Sequence, residues 1–551
     1  MRMAGKRLND AVHWFMAELT SRVVAETGIP SDRFHLGKII LRSLKDYPDA
    51  VMQIDGATGE SDTNANILEK SVKCAKCFRN FGLQPEDVIV LMAPNHRSLC
   101  VPFYAALYTG VIIAAVDMTL GVKELQGTFS VNQPKIIFCQ SEKAPDIQVA
   151  LNDIDLNATI VTFDKGDYLC SLQEFIEEYA DDTPIQEFKA TDFDAENAAA
   201  FLISTSGTTG LPKAAVVLHK NFIISVSSIW SRFDTFPSPT AMALVGSPLQ
   251  WLTAIINFLG SPIFKYTRLQ SSKPLTQGHA HYLINTYKPT YAIVSPTFMT
   301  TLIKEAGGKC DLSSFETLFL GGSAVPLALI DEIKKISPNT EVLNIFGMSE
   351  ISGAAFHGDP AYPAACGKPM ACFQYRIIDI NTQEDNINEP NVPGELWLKG
   401  PSIFKGYYKN IAATEEAFAE DGWLKTGDLF YRDENWNFYF LERIKLLLKY
   451  KSYQISPVEV ENVIRQHPGV LDVAVTGIPD PEVGDLPVAC IVTREGFDVT
   501  ADEIKELVRG SLSDSKQLRG GVIFMNSIPM TASTKVHRRK LKELVQDLER
   551  Q

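Results

Sequence analysis

The sequence predicts an α/β fold in two parts: a large N-terminal domain of βαβ layers with a small, distorted barrel-like region, then a smaller α+β C-terminal domain. Three observations carry this. The chain's 551 residues exceed what one hydrophobic core organises. Between residues 40 and 130, helical and strand-like patterns alternate, as they do in parallel βαβ units. From Gly367 the texture changes to short strands and turns, and beyond Glu442-Arg-Ile-Lys445 a compact run of capped helices and paired strands follows.

Taken in order, residues 65–81 have helical spacing, 87–92 read as a strand, 98–108 as a helix and 111–116 as a strand. Further apolar strands fall at 134–139, 198–203, 214–218, 291–294, 317–320 and 342–346. Loops at the carboxyl ends of such strands are where α/β sheets bind ligands. Residues 374–380, 394–399 and 438–441 read as the antiparallel strands. After the charged tetrapeptide, Ser456, Pro457 and Glu459 make a helix start whose apolar face is Val460, Val463 and Ile464. Residues 471–478 and 488–493 pair as strands, and Thr500 with Glu503 boxes a helix carrying Ile504, Leu507 and Val508. The expected domains are 1–441 and 446–551, with a hinge at 442–445.

A hydrophobic fraction of 45% and a charged fraction of 21% belong to an ordinary globular protein. The net charge of −14, with no basic run interleaved with aromatics, argues against a nucleic-acid partner. Nine scattered cysteines suit a reducing compartment, and Cys74-Ala-Lys-Cys77 reads as one face of a helix. No apolar segment of signal-peptide type precedes Asp10. Two stretches lack charges, 98–116 and 236–264. Pro102 and Gly110 divide the first, and Gly246, Pro248, Gly260 and Pro262 are expected to break any continuous helix in the second, so neither reads as a transmembrane segment. The chain ends Leu-Glu-Arg-Gln rather than in the peroxisomal Ser-Lys-Leu, and the expected location is the cytoplasm.

The chemistry centres on Ser204-Thr-Ser-Gly-Thr-Thr-Gly-Leu-Pro-Lys213. Thr205, Ser206, Thr208 and Thr209 supply hydroxyls, Gly207 and Gly210 let backbone N–H groups approach an anion, and Lys213 adds a positive charge. The spacing is not that of a P-loop, because the glycines lie closer together and Pro212 precedes the lysine. By composition this is still a phosphate-holding loop.

That decapeptide resembles the nucleotide loop of the adenylate-forming superfamily of acyl-CoA synthetases, 4-coumarate–CoA ligases and beetle luciferases, and most closely insect luciferase-like acyl-CoA synthetases. Other motifs similar to the family's follow in order: Phe346-Gly-Met-Ser-Glu350, Gly321-Gly-Ser323, Trp423-Leu-Lys-Thr-Gly-Asp428, Lys449-Tyr-Lys-Ser-Tyr-Gln454 and Pro529-Met-Thr-Ala-Ser-Thr-Lys535. The resemblance implies a ligase using ATP, Mg²⁺ and coenzyme A on a small carboxylic acid, fatty or aryl, with a mobile C-terminal domain. ATP would meet Thr205 to Gly210, Lys213, Gly322, Ser323, Phe346, Gly347, Met348, Ser349, Asp428, Arg443 and Lys535, and Glu350 would hold the metal. Phe346 would stack on adenine, while Asp428 and Arg443 would meet the ribose. Lys535, Lys213 and Lys449 would be catalytic, and Lys445 would be the hinge. Gln250, Trp251, Gly321, Gly322, Ser352 and Gly353 would line the acid pocket.

The match has departures. Ala214, Ser452 and Thr534 stand where the family has glycine, and Leu249-Gln250-Trp251 stands where beetle luciferases carry Phe-His-His. Light emission and a non-catalytic acyl- or nucleotide-binding protein therefore remain the alternatives to the ligase.

Overall fold

Two seven-stranded sheets organise the first 410 residues in a computed structural model, which describes residues 10–164, 170–181, 183–205, 213–303, 310–450, 453–480, 483–530 and 536–551. In one, the parallel strands Thr159–Thr162, Ile136–Cys139, Val88–Met92, Ile112–Ala115 and Ala199–Thr205 lie side by side. Lys213–Leu218 then joins Ala199–Thr205 antiparallel, pairing Thr205 with Lys213, and Gly406–Tyr407 closes that edge. In the other sheet, Glu341–Ile345, Thr317–Gly321, Tyr291–Val294, Met242–Leu244, Thr267–Gln270 and Val51–Asp55 are parallel, and Ser61–Thr63 adds an antiparallel edge.

Strands such as Val88–Met92, Ile112–Ala115 and Tyr291–Val294 read as unbroken apolar runs because helices cover them, whereas Thr267–Gln270 carries the buried Arg268 and Gln270. Every residue of the helix Cys100–Thr109 is buried, and Phe103 packs its ring on Phe201 and on Phe258 at centroid distances of 5.6 and 5.2 Å. Gly110 ends that helix in the left-handed conformation at φ 78°, which glycine adopts without a Cβ clash. Cys74 and Cys77 are both buried on the helix Asn64–Phe81, and burial pushes the Cys77 thiol up to about 11, so it is an inert core thiol.

One expectation holds only in part: Gly246 and Pro248 stand outside the helix that follows them, but Gly260 and Pro262 do not end it. The helix Leu252–Phe264 runs through Gly260 and Pro262 instead of breaking at them. A proline inside a helix leaves the carbonyl four residues back without its N–H partner. That carbonyl belongs to Phe258, and the buried Tyr104 hydroxyl donates to it at 2.6 Å. The replacement bond lets the last turn continue. No helix among the described residues is long and apolar enough to cross a membrane.

Four antiparallel strands follow: Gln374–Ile378, Gly394–Lys399, Leu424–Arg432 and Phe438–Arg443. Burial alternates along Gly394–Lys399 and Leu424–Arg432, as a sheet with one covered face requires. The last strand runs through Glu442 and Arg443 into a 3₁₀ turn, Ile444–Leu446.

Beyond it the C-terminal strands Val470–Asp480 and Gly484–Thr493 pair antiparallel and Gly521–Phe524 joins parallel, around a core of Ile464, Val473, Val475, Ile491, Ile504 and Val508. Ser456 caps the helix Pro457–Ile464 by accepting from Glu459 N–H. Thr500 and Glu503 form a full capping box on Ala501–Ser511. Glu442, almost wholly buried, reaches across from the preceding sheet. Its Oε2 accepts from Val458 N–H at 3.1 Å and from the Ser456 hydroxyl at 3.3 Å.

Candidate active site

The antiparallel return of Lys213–Leu218 on Ala199–Thr205 puts Lys213 at the sheet end. Residues 206–212 lie outside the described residues, so Ser206, Gly207, Thr208, Thr209 and Gly210 are not placed; Thr205 is, and its hydroxyl donates to the Lys213 carbonyl at 3.3 Å. The Lys213 side chain is only 17% exposed. Its Nζ stands 5.1 Å from the centroid of the Tyr407 ring and 3.8 Å from Glu416 Oε2. The Tyr407 hydroxyl in turn donates to Glu350 Oε1 at 2.8 Å. Burial, with Glu350 beside it, holds the Tyr407 phenol well above its ordinary range. Glu350 itself is buried in the 3₁₀ turn Ser349–Ile351. Lys213 and Glu350 are thus brought together through Tyr407.

The same carboxylate that meets Lys213 also meets Lys445, with Glu416 Oε1 3.6 Å from Lys445 Nζ. Glu416 lies at the end of the short helix Ile411–Ala417.

A second group sits on the antiparallel sheet. Asp428 and Arg443 are register partners on neighbouring strands, and Arg443 Nε donates to Asp428 Oδ1 at 3.0 Å. Asp428 is 1% exposed, and its Oδ2 has no hydrogen-bond partner among the described residues. Burial raises its carboxyl to about 6, against the lowering effect of Arg443, with Glu350 and Glu442 adding to the rise. Phe346 follows the strand Glu341–Ile345 and packs edge-on against Phe430 at 4.8 Å, and nearly parallel to Phe440 at 6.3 Å.

The glycine segments are closely packed. A Cβ on Gly321 would stand 2.5 Å from the Ile345 carbonyl oxygen, and one on Gly347 would stand 2.4 Å from that of Gly353, so neither position admits a side chain. Gly322 and Ser323 are exposed at the end of the same strand as Gly321. Gly347–Met348 pairs with Gly353–Ala354 in a tight hairpin. Ser352 at its turn is wholly buried with φ 59°, and its carbonyl accepts from the Ser225 hydroxyl at 2.7 Å. Gln250 and Trp251 are half-buried just before the helix Leu252–Phe264.

Lys535 lies outside the described residues, and so does the side chain of Lys449, whose backbone is in the strand Leu448–Tyr450. A cavity of about 580 Å³ opens elsewhere, lined by Ser228, Ser231, His357, Phe373, Tyr375 and Trp436 among others, and none of the expected residues borders it.

Sequence reasoning missed Tyr407 and Glu416. Only the need of a half-buried lysine for partners could have pointed to them.

This geometry can be set beside known proteins. A model of the AMP-binding enzyme family matches residues 40–408, and a model of that family's C-terminal domain matches residues 459–535. The chain belongs to the AMP-binding enzyme family. Among its relatives is a luciferin 4-monooxygenase of Nipponoluciola cruciata, 31% identical over 90% of this chain and 91% of that protein. A peroxisomal OPC-8:0-CoA ligase of Arabidopsis thaliana is 28% identical over 89% of each. In fold, the chain is similar to ATP-bound MatB from Rhodopseudomonas palustris, with a TM-score of 0.83 at 21% identity, over 93% of this chain and 99% of that one. The α/β architecture with a large N-terminal and a smaller C-terminal domain is that of the family.

Proposed function

We propose that this family member, an AMP-forming acid–CoA ligase, activates a fatty or aryl carboxylic acid by way of an acyl-adenylate. The observation that carries the reading is the pairing of a positive and a negative centre at one sheet end: Lys213, 5.1 Å from the Tyr407 ring, and Glu350, 2.8 Å from the Tyr407 hydroxyl. A triphosphate needs cations and, for its own counter-ion, a carboxylate.

In the first half-reaction the acid's carboxylate attacks the α-phosphorus of ATP, and pyrophosphate leaves with the electrons of the broken P–O bond. Lys213 and Lys535 offset the charge that develops on the phosphoryl oxygens. Phe346 offers a face to the base, while Asp428 accepts from the ribose hydroxyls through its unpartnered oxygen. Glu350 fits Mg²⁺. Among the described residues it belongs to no cluster of three or more His, Cys, Asp or Glu, and Mg²⁺ is ordinarily held by one or two carboxylates with the substrate's phosphates. The bound ion would neutralise phosphate charge.

In the second half-reaction the thiol of coenzyme A displaces AMP, and Lys449 comes to face the site after rotation about Lys445, within the 442–445 hinge between domains 1–441 and 446–551. The small and apolar character of segments 247–251, 321–323 and 351–354 supports an apolar acid.

The test is ATP–pyrophosphate exchange across a panel of acids. Exchange with fatty or aryl acids is expected, and none with any carboxylate would overturn the reading. The similarity to luciferin 4-monooxygenases favours one rival, an adenylate that goes on to be oxygenated. With Gln250 and Trp251 in place of imidazoles, photon counting with luciferin, ATP and oxygen is expected to stay at background.

A further inference from the structure

Glu416 is the outlier of the phosphate end. Each of its carboxylate oxygens serves a different lysine: Oε2 lies 3.8 Å from Nζ of Lys213, and Oε1 lies 3.6 Å from Nζ of Lys445. Those lysines are distant in sequence and differ in setting. One is 17% exposed at a sheet end, and the other is 58% exposed in the 3₁₀ turn Ile444–Leu446. Nothing local recommends a glutamate at this place. Position 416 is in the last turn of the helix Ile411–Ala417, where the negative end of the helix dipole disfavours a carboxylate. Its side chain is 65% exposed, and no hydrogen bond to backbone is found for it among the described residues. Its contacts are to the lysine pair.

We propose that Glu416 is a positioning residue that stands in for nucleotide phosphate: it holds the lysine of the phosphate loop against the lysine of the hinge, and a bound polyphosphate takes Lys213 from it. This rests on the adenylation reading above. A triphosphate brings more negative charge to Lys213 than one carboxylate at 3.8 Å can oppose, so the exchange runs forward when ATP arrives. Glu416 then keeps Lys445 alone, so the hinge lysine stays on the helix Ile411–Ala417 while Lys213 passes to the phosphates. AMP, lacking the β- and γ-phosphates, would leave the bridge closed.

Calorimetric titration of the full chain with ATP and, separately, with AMP tests this. Glu416→Gln keeps the shape and removes the competing charge. ATP is expected to bind about threefold more tightly than to wild type, the scale of a half-exposed ion pair, with AMP affinity unchanged. Glu416→Asp is expected to fall between. In a Lys213→Met background the gain from Glu416→Gln should vanish, as a double-mutant cycle requires. Equal ATP affinity in wild type and Glu416→Gln would overturn the proposal while leaving adenylation intact. Equal gains for ATP and AMP would overturn it too, by making the effect a general one on the fold. Failure of wild type to bind ATP at all would instead bring down the adenylation reading.

Discussion

The two ends of the candidate cleft are built on opposite principles. At the Lys213 end every charge already has an internal partner: Lys213 has Glu416 and the Tyr407 ring, and Glu350 has the Tyr407 hydroxyl. At the Asp428 end a nearly fully buried carboxyl keeps one oxygen without a partner among the described residues, and Arg443 answers only the other. On the adenylation reading, the first end would have to be vacated before it is filled, so that phosphate binding would exchange ion pairs, while ribose binding would give the buried Asp428 oxygen a partner.

The sharpest way to break this contrast is at the catalytic lysine proposed for the phosphates. Lys535→Ala is expected to lower ATP–pyrophosphate exchange by about 10²–10³-fold, as loss of one preorganised donor does, with thioester formation from supplied acyl-AMP largely kept. Equal loss in both half-reactions would remove Lys535 from adenylation.

Next comes the other end. Asp428→Asn is expected to weaken ATP binding by about tenfold or more, the scale of a hydrogen bond to a charged group, read by calorimetry. The pH dependence has a definite sign. With a carboxyl at about 6 in the folded protein against an ordinary 3.8, the folded state holds the proton through that window and the unfolded state does not. Stability of the unliganded protein therefore falls as pH rises from about 4 to about 6 and is flat above, by up to about 3 kcal/mol from this group. ATP affinity changes oppositely, rising as Asp428 ionises through about 6. Both dependences should disappear in Asp428→Asn, with stability measured by urea denaturation at each pH.

Smaller effects sharpen the comparison. Tyr407→Phe leaves the ring beneath Lys213 but takes the donor from Glu350, and about 1–2 kcal/mol of stability should be lost in urea and largely recovered with MgATP. Tyr104→Phe is the control from the core. It orphans the Phe258 carbonyl beside Pro262, costs about 1 kcal/mol, and nucleotide should recover none of it.

Much of this was legible in the sequence, for physical reasons. Parallel strands covered on both faces are mostly apolar, so the runs that became Val88–Met92, Tyr291–Val294 and Thr317–Gly321 stood out, while Thr267–Gln270, with its buried Arg268 and Gln270, did not. The caps at Ser456 and Thr500 are local chemistry and need no tertiary knowledge. Pro262 misled because its remedy, the Tyr104 hydroxyl, lies 158 positions away in the chain by their numbers. Lys213, Glu350 and Asp428 were named through motifs. Tyr407 and Glu416 were not, because Tyr407 reaches Lys213 through the edge strand Gly406–Tyr407 and Glu416 reaches it from the helix Ile411–Ala417, contacts no spacing announces.

The loan that Glu442 makes to the helix Pro457–Ile464 has a further consequence. On the proposed rotation, its oxygen would anchor the C-terminal domain only while the two domains stay in register. Once they part, an acid now shut from solvent is wetted and an amide loses its acceptor. A catch of this kind, placed within a few positions of the pivot proposed at Lys445, would set a threshold for turning without dictating its direction, so the enzyme would tend to rest in whichever pose keeps that oxygen engaged.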